Sequence, residues 1–490
     1  MKISFPKAGT RRVTAVAAAF PVVALLAGLI VIIVTKGPDY ISELSPFALL
    51  GASVLALVIA AAGGSLTLRG LRTGYLRSSR QILPAVPILI SIALVSTTWM
   101  LSGVVPVLIH YGLHIIHPTF FPVIACAVCG IVSVLTGSSW STIATIGIAF
   151  MGIGDALGFG AAVTAGAIIS GAYFGDKMSP LSDTTVVASS TCGVDLFDHI
   201  RYMLLTTGPA MALSLIAFLL IGVFSVGSDS AAGADSLSAV LSQTFDLTGW
   251  TLIIPLCTGI LIARRVPTLV TMLSSALLGL CGIFVFQPQI VAVITSSATG
   301  WVDYILSVMR VLWTDNEMAT GNPHIDALVS TSGITGMLPT VGLVLSAMVF
   351  GAAMIGTGML SVLASSFTRA LKRRTSIVGA TVCSGLFLNS CTADQYLSLI
   401  INGNIYRNVY RRFNLEPRLL SRTCEDSVSV TSVLIPWNSC GVTQSAVLGV
   451  STVAYFPFCF FNILCPLITV LIARMGYRIP VAGAIATAKG

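Results

Sequence analysis

The stretch 171–185 reads Gly-Ala-Tyr-Phe-Gly-Asp-Lys-Met-Ser-Pro-Leu-Ser-Asp-Thr-Thr and places two carboxylates and a lysine next to an apolar helix predicted over 159–174. Pro180 removes a backbone hydrogen-bond donor and frees carbonyl groups one turn earlier. Such non-helical backbone is tolerated at membrane depth only where it is buried in protein or lines a wet cavity. The stretch therefore predicts a broken helix inside a membrane-embedded protein.

The composition of the whole chain also requires a membrane. The 490 residues are 55% hydrophobic and 9% charged, and the mean hydropathy is +0.95. A soluble domain is about a quarter charged, so soluble enzymes and nucleic-acid-binding proteins are excluded. The apolar stretches are continuous runs rather than alternating ten-residue strands, which excludes a transmembrane β-barrel. The predicted fold class is an all-α polytopic membrane protein.

Apolar runs of about 20 residues are long enough to cross the hydrocarbon core. The full-length candidates are 13–35, 46–68, 83–109, 201–226, 267–287, 338–366 and 452–473. The first is too long for a signal-peptide core and is interpreted as a retained span, whereas 250–263 is shorter than a full span. Two apolar regions, 118–198 and 375–450, are broken by Gly, Pro, Asn and acidic residues. If each holds one re-entrant hairpin and one interrupted span, the chain has ten spans and two hairpins.

Positive charge predicts the orientation of these spans. The chain has 26 Lys and Arg residues and a net charge of +8. With the N-terminus in the cytoplasm, 23 of the 26 fall in cytoplasmic segments, which satisfies the positive-inside rule. We therefore predict a multi-pass membrane protein with both termini cytoplasmic.

The two halves of the chain share motifs at near-constant separations. Gly103 and Gly358 lie 255 residues apart, and the motif 136–139 precedes a similar motif, 389–392, by 253. The charge pattern gives the halves opposite orientations. This predicts two inverted repeats of about five transmembrane helices, each with a re-entrant hairpin and a broken helix, as in secondary transporters. Chance recurrence of small residues in Gly/Ser-rich membrane helices is the alternative.

The predicted organisation has five parts. They are a cytoplasmic N-terminus 1–12, an N-terminal repeat 13–226 with hairpin 119–155, an external linker 227–249, a C-terminal repeat 250–475 with hairpin 376–413, and a cytoplasmic tail 476–490. Each repeat is expected to hold five spans.

The oxygen atoms around the break suggest a cation site. A carboxylate at mid-bilayer costs about 2.5–3.5 kcal/mol on insertion scales, so two carboxylates with one lysine indicate function. Asp183 is our first candidate for a carboxylate that exchanges a cation for a proton, and Asp176 is the second. The other candidate cation or proton ligands are Ser179, Ser182, Thr184, Ser138, Ser139, Asn389, Thr392, Asp394 and Asn438. The alternative is a cytoplasmic loop in which Asp183 caps a helix.

A second hydroxyl-rich segment, 420–441, is interrupted by Pro436. Its acidic residues Glu425 and Asp426 stand before the break. We interpret them, together with Lys177, as possible gate residues; they could also be partners of Arg422 or simply begin a helix.

Other motifs point to no enzyme. The chain lacks H-E-x-x-H, a Walker A motif and G-x-S-x-G, so neither a membrane hydrolase nor an ATP-driven pump is predicted. His110, His114 and His117 have i, i+4, i+7 spacing. They could form a zinc site or a pH sensor, or they could be ordinary interfacial histidines. No cofactor or resident metal is predicted.

The polar motifs resemble those of the NhaC family of sodium/proton antiporters, within the ion transporter superfamily. The resemblance covers roughly residues 80–475 and is carried by 175–185, 392–396 and 435–441. It departs from the family pattern at 138–141, at 432–434 and at Val186. It implies exchange of Na⁺ (or Li⁺) for H⁺, a scaffold domain with a moving transport domain, and a homodimer. Some family members are similar exchangers that move organic acids, such as malate against lactate.

Antiport also follows from the physical properties of a buried carboxylate. Desolvation favours its protonated form and a bound cation favours its charged form, so one site can hold either ion but not both. If the empty charged site cannot reorient, the two ions must exchange. A Na⁺- or H⁺-coupled organic acid exchanger, an amino-acid antiporter and an ion channel are the other functions left open.

Overall fold

The computed structural model describes residues 14–37, 40–225, 238–264, 266–296, 300–314, 330–369 and 374–476, and its elements are helices. Three predicted segments lie wholly or partly outside these ranges: the N-terminus 1–12, the linker 227–249 as far as residue 237, and the tail 476–490 from residue 477 onward. The first five helices are α1 (Ala15–Lys36), α2 (Ile41–Ala62), α3 (Leu68–Ile82), α4 (Ala85–Leu101) and α5 (Val104–Ile115).

The first broken region follows α5. Its helices are α6 (Phe121–Thr136), α7 (Ser139–Thr142), α8 (Ile148–Ala156), α9 (Ala161–Met178), α10 (Asp183–Cys192) and the long α11 (Leu196–Ser225). A π-helical turn, Ile143–Gly147, joins α7 to α8 into one continuous limb. Helix α6, α7, the π-helical turn and α8 cover the residues of the predicted hairpin 119–155.

The middle of the chain contains a second set of helices. They are α12 (Ser238–Thr244), α13 (Ile253–Ala263), α14 (Thr268–Phe286), α15 (Pro288–Ile294), α16 (Trp301–Trp313), α17 (Leu338–Gly356) and α18 (Met359–Arg369).

The second broken region ends the described chain. Its helices are α19 (Arg374–Thr392), α20 (Gln395–Arg412), α21 (Pro417–Cys424), α22 (Ser439–Leu448), α23 (Thr452–Tyr455) and α24 (Phe460–Arg474). A π-helical turn, Glu425–Ser429, continues α21. Helices α19 and α20 cover the residues of the predicted hairpin 376–413.

Seven helical segments of the described chain are long and apolar enough to cross a membrane, and two bent helix pairs raise the number to nine. One of the seven, Pro118–Thr136, contains a limb of a predicted hairpin. The ten predicted spans also include the broken helices α9–α10 and α21–α22, which this criterion of length and hydropathy does not count. The prediction of an all-α polytopic membrane protein is confirmed.

Two predicted spans are interrupted by glycine. The span 83–109 stops at Leu101 and resumes at Val104, and the intervening Gly103 has φ +83°. The span 338–366 breaks in the same way at Gly358, with φ +77°. A left-handed glycine ends a helix without steric cost, so each run is two helices with a bend between them.

Close helix packing positions the first broken region. A Cβ on Gly175 would lie 2.2 Å from the carbonyl oxygen of Gly130 in α6. A Cβ on Gly171 would lie 2.0 Å from the carbonyl oxygen of Cys126. Small residues at these positions let two helix backbones approach closely, as is usual in membranes. The contact fixes the C-terminal end of α9 against α6.

Candidate functional site

Asp176 contacts the first tip, which we define as residues 136–142. Its Oδ2 accepts a hydrogen bond from the Ser139 hydroxyl (2.7 Å) and one from the Ser139 backbone N–H (3.2 Å). Ser138 is the N-cap residue, and its Oγ accepts from the backbone N–H of Ser141 (3.2 Å). The carboxylate thus lies at a helix N-terminus, where unpaired N–H groups stabilise negative charge. The structure joins the first tip to the broken stretch.

The hydroxyls of the break satisfy its own backbone. Ser179 Oγ accepts from the N–H of Leu181 (3.2 Å), and Thr185 Oγ1 donates to the carbonyl oxygen of Lys177 (3.2 Å). The hydroxyls of Ser182 and Thr184 lie 3.0 Å apart. These contacts replace helical hydrogen bonds that are lost around Pro180.

Asp183 begins α10 next to this contact. Asp183 is exposed, whereas Asp176 is partly buried. The two carboxylates interact electrostatically with each other and with Tyr396 of α20. Ser182 occupies the N-cap position, so Asp183 is the first helical residue and not the cap. The structure therefore brings our two leading candidates near each other, with Asp176 holding the direct contacts to Ser139.

The second tip, residues 389–396, is a buried polar turn. Asp394 is the N-cap residue of α20, and its Oδ1 accepts from the N–H of Leu397 (2.8 Å). Thr392 Oγ1 donates to the carbonyl oxygen of Asp394 (3.0 Å) and lies 2.6 Å from Ser398 Oγ. Ala393 has φ +56°, which gives the chain its sharp turn. Asp394 is thus engaged as a helix cap.

Two asparagines fasten the second tip to its surroundings. Asn389 Nδ2 donates to the carbonyl oxygen of Val428 (2.7 Å), and Asn438 Nδ2 donates to that of Asn389 (3.2 Å). Asn438 Oδ1 accepts from the N–H of Cys440 (3.1 Å). In the described chain, Asn389 Oδ1 is buried and has no hydrogen-bond partner. This side-chain oxygen is therefore available to a ligand, whereas Asn438 Oδ1 is engaged.

Contacts of the first region recur in the second. Ser139 bonds to Asp176, and Gln395 Oε1 accepts from Ser432 Oγ (3.3 Å); both pairs are 37 residues apart. Asn389 Nδ2 donates to the carbonyl oxygen of Val428, which lies 39 residues later. In the same way, the Ser133 hydroxyl donates to the carbonyl oxygen of Ala172, 39 residues later (2.6 Å). Adding 256 to each residue number of the first set gives the second set. The separation of the matched contacts is therefore one residue larger than that of Gly103 and Gly358 and three larger than that of the two tip motifs.

A buried charge cluster comprises Lys177, Arg422, Glu425 and Asp426. Lys177 Nζ pairs with Asp426 Oδ1, and both side chains are almost wholly inaccessible (2% and 0% exposed). Asp426 Oδ2 accepts from Thr469 Oγ1 at 2.5 Å and lies 3.9 Å from Arg422 Nε. The three predicted gate residues therefore lie together in the protein interior.

Sequence reasoning missed several neighbours of this cluster. Cys465 Sγ lies 3.1 Å from Lys177 Nζ, and the guanidinium of Arg422 lies 4.5 Å from the centre of the Tyr202 ring. His199 is fully buried, and its Nδ1 lies 2.9 Å from Ser421 Oγ. The sequence does show His199 and Tyr202 within the apolar helix α11. Their partners are distant in the sequence, so no local pattern predicts them.

The histidines at the end of α5 are only partly grouped. His110 and His114 have ring centres 4.6 Å apart, and His110 Nδ1 lies 2.8 Å from Ser238 Oγ. His117 lies beyond the helix, where it caps the short turn Pro118–Phe120. Among the residues described, no three His, Cys, Asp or Glu side chains are arranged to hold a metal ion.

Buried ionisable residues at the ends of broken membrane helices mark ion pathways, so fold and site together define a membrane transport protein. The family model of the Na⁺/H⁺ antiporter family matches residues 8–202 and 171–477. The chain belongs to this family, which confirms the resemblance drawn from its motifs.

The chain is similar in sequence to three curated relatives. The Na(+)/H(+) antiporter NhaC of Alkalihalophilus pseudofirmus is 38% identical over 403 residues, covering 82% of this chain and 84% of the relative. The malate-2H(+)/Na(+)-lactate antiporter of Bacillus subtilis is 36% identical over 401 residues, covering 80% and 83%. The Na(+)/H(+) antiporter NhaC of B. subtilis is 32% identical over 439 residues, covering 88% and 93%. All three are named as antiporters and none as an enzyme.

Proposed function

We propose that this protein is a secondary transporter that exchanges Na⁺ (or Li⁺) for H⁺ across the bacterial cytoplasmic membrane. Two of the three relatives above are named Na⁺/H⁺ antiporters. The observation that carries the proposal is the contact of Asp176 with Ser139, which holds a carboxylate of the broken helix against the first tip. The transported ions are the ligands, and no cofactor takes part.

Asp176 and Asp183 supply the exchanging negative charge in this proposal. Two nearby carboxylates repel each other, and either a cation or a proton relieves the repulsion. The bonds from Ser139 orient Asp176, and hydroxyls of Ser182 and Thr184 lie beside Asp183. A cation and a proton then compete for the same negative charge, and exchange is obligatory when the empty charged site does not reorient.

We further propose that the two broken regions belong to inverted repeats of about five spans, with the hairpins 119–155 and 376–413 re-entrant. The recurrence of contacts at a separation of 256 supports this arrangement. The proposal also includes repeat boundaries at 13–226 and 250–475, cytoplasmic termini and a homodimer.

The test is a pH-gradient assay with a fluorescent dye in everted membrane vesicles, scanning Na⁺, Li⁺ and K⁺. We expect Na⁺ or Li⁺ to dissipate the gradient, and Asp183→Asn to abolish that flux while the protein still inserts. Asp155→Asn, at an exposed carboxylate of α8, is the matched control and should retain flux. Normal flux in Asp183→Asn would remove Asp183 from the mechanism, and loss in Asp176→Asn alone would assign the exchange to Asp176. Single-channel currents without saturable exchange would contradict antiport.

A Na⁺/H⁺-coupled organic acid exchanger of the malate/lactate type is the second candidate, because one relative carries that name. The ammonium group of Lys177 is paired with Asp426, so it is engaged within the protein rather than with an anionic cargo. Uptake of labelled malate, lactate and amino acids into vesicles separates the candidates. Cation-dependent proton flux without uptake of any of these would favour Na⁺/H⁺ exchange.

A further inference from the structure

Glu425 is the member of the buried charge cluster that has no ion pair among the described residues. It begins the π-helical turn Glu425–Ser429, and its exposed fraction is 0%. Across the described chain, neither of its carboxylate oxygens has a partner at hydrogen-bonding distance, and the nearby hydroxyls of Thr184 and Ser429 favour its charged form. The two ion pairs of the cluster both go to the adjacent Asp426.

Charged and titratable groups surround Glu425 from several helices. Lys177 and Asp176 on α9 interact with it electrostatically, and Arg422 and Asp426 lie within a turn on its own segment. The other titratable groups beside this segment include Cys192 on α10, His199 and Tyr202 on α11, Tyr406 and Tyr410 on α20, and Cys465 on α24. Cysteine and tyrosine side chains are uncharged at neutral pH.

Two opposing effects act on the protonation of Glu425. A buried carboxylate without hydrogen bonds is destabilised in its charged form. Lys177 and Arg422 share a single paired anion, Asp426, so this group of three carries one excess positive charge that stabilises a charged Glu425. A proton carrier must occupy both protonation states, and these two effects act on their balance in opposite directions.

The position of Glu425 couples it to the proposed cation site. A cation bound at Asp176 adds positive charge to the end of α9 and favours release of the proton from Glu425. A proton on Glu425 removes a negative charge and so weakens the attraction for the cation. The two ions therefore oppose each other's binding, and this opposition must be reciprocal.

We propose that Glu425 carries a proton of the exchange, as a site separate from the carboxylates that bind the cation. The carboxylic acid of Glu425 loses H⁺ to water when the cation binds and regains it when the cation leaves, and no other bond changes. This inference rests on the proposed Na⁺/H⁺ exchange.

The experiment measures radioactive Na⁺ binding to the purified full-length protein across neutral pH. For each proton displaced by one Na⁺, the logarithm of the dissociation constant changes by about one per pH unit. We expect Glu425→Gln to bind Na⁺ with a slope smaller than that of the wild type by about one proton. Glu425→Asp keeps a titratable carboxyl group and should retain the wild-type slope over a displaced pH range.

Glu416→Gln is the matched control because Glu416 begins the same segment and pairs with Arg418; its slope should equal that of the wild type. An unchanged slope in a folded Glu425→Gln protein, checked by size-exclusion elution, would overturn the inference. If that variant does not fold, wild-type behaviour of Glu425→Asp with no displacement of its pH range would do so. Absence of Na⁺ binding in the wild-type protein would instead overturn the proposed function.

Discussion

Among single residues, Asp426 connects several polar side chains of the buried charge cluster. Lys177, Thr469 and Cys465 contact its carboxylate, and Arg422 lies close by. Burying an ion pair costs desolvation free energy, which is offset only when further hydrogen bonds surround the charges. The pair joins residues 249 apart in sequence, so it also fastens the two broken regions to each other.

We expect Lys177→Met to lower the free energy of unfolding by about 3–5 kcal/mol, because it leaves Asp426 as a buried charge without its close partner. Thermal unfolding of the detergent-purified protein measures the effect. The double variant Lys177→Met, Asp426→Asn removes the uncompensated anion and should recover part of the loss. A melting temperature equal to that of the wild type in the single variant would show that the pair does not stabilise the fold.

Among the helices, α9 sets the geometry of the site because it carries Asp176 and Lys177 on consecutive residues. Its contact with α6 leaves no room for a side chain at Gly175. A shift of α9 would therefore move Asp176 away from Ser139 and Lys177 away from Asp426 together.

Gly175→Ala should destabilise the protein by about 1–3 kcal/mol through overpacking and reduce cation-dependent proton flux. The physical reason is the 2.2 Å approach of the added Cβ to the Gly130 carbonyl oxygen. Unfolding temperature and vesicle flux are the two measurements. Gly208→Ala in α11 is the control, since its Cβ would meet nothing within 4 Å. Equal behaviour of the two variants would contradict a role for this close packing.

The two broken regions share contacts but not charge. At a separation of 256, Ser432 takes the place of Asp176 and Gln395 that of Ser139. The hydrogen bond is kept with neutral groups. The second region instead carries Arg422, Glu425 and Asp426, for which the first has no charged equivalents at this separation. The repeated geometry thus carries the carboxylate of Asp176 in the first region and Arg422, Glu425 and Asp426 in the second.

On the scale of the whole molecule, inversion predicts that equivalent positions face opposite sides of the membrane. Ala161 and Pro417 are exposed first residues of α9 and α21, and they are 256 apart. In a background with Cys281→Ser and Cys383→Ser, which removes the exposed cysteines of the described chain, we expect opposite labelling of Ala161→Cys and Pro417→Cys. A membrane-impermeant thiol reagent should reach the first from outside and the second from the cytoplasm. Labelling of both from one side would contradict inversion.

The sequence by itself determined the class, the family and the position of the breaks. Hydropathy, proline and buried acidic residues are local signals, so a polytopic helical protein, the break after α9 and the hairpin-like units could be predicted from short windows. The same local signals selected Asp176, Asp183 and the two tips as candidates. They also selected Lys177 and Asp426 together as possible gate residues, but they did not predict that the two side chains form an ion pair.

Only the tertiary structure decided which of these groups meet. It places Asp176 against Ser139, pairs Lys177 with Asp426, and gives Glu425 no ion pair among the described residues. It also sets the matched contacts 256 residues apart, where the sequence motifs indicated 255 and 253. Such choices depend on how closely helices distant in sequence can pack, as Gly175 and Gly130 do, and on the desolvation of charges between them. Neither quantity is a property of a short window of sequence, because both are created when the helices come together.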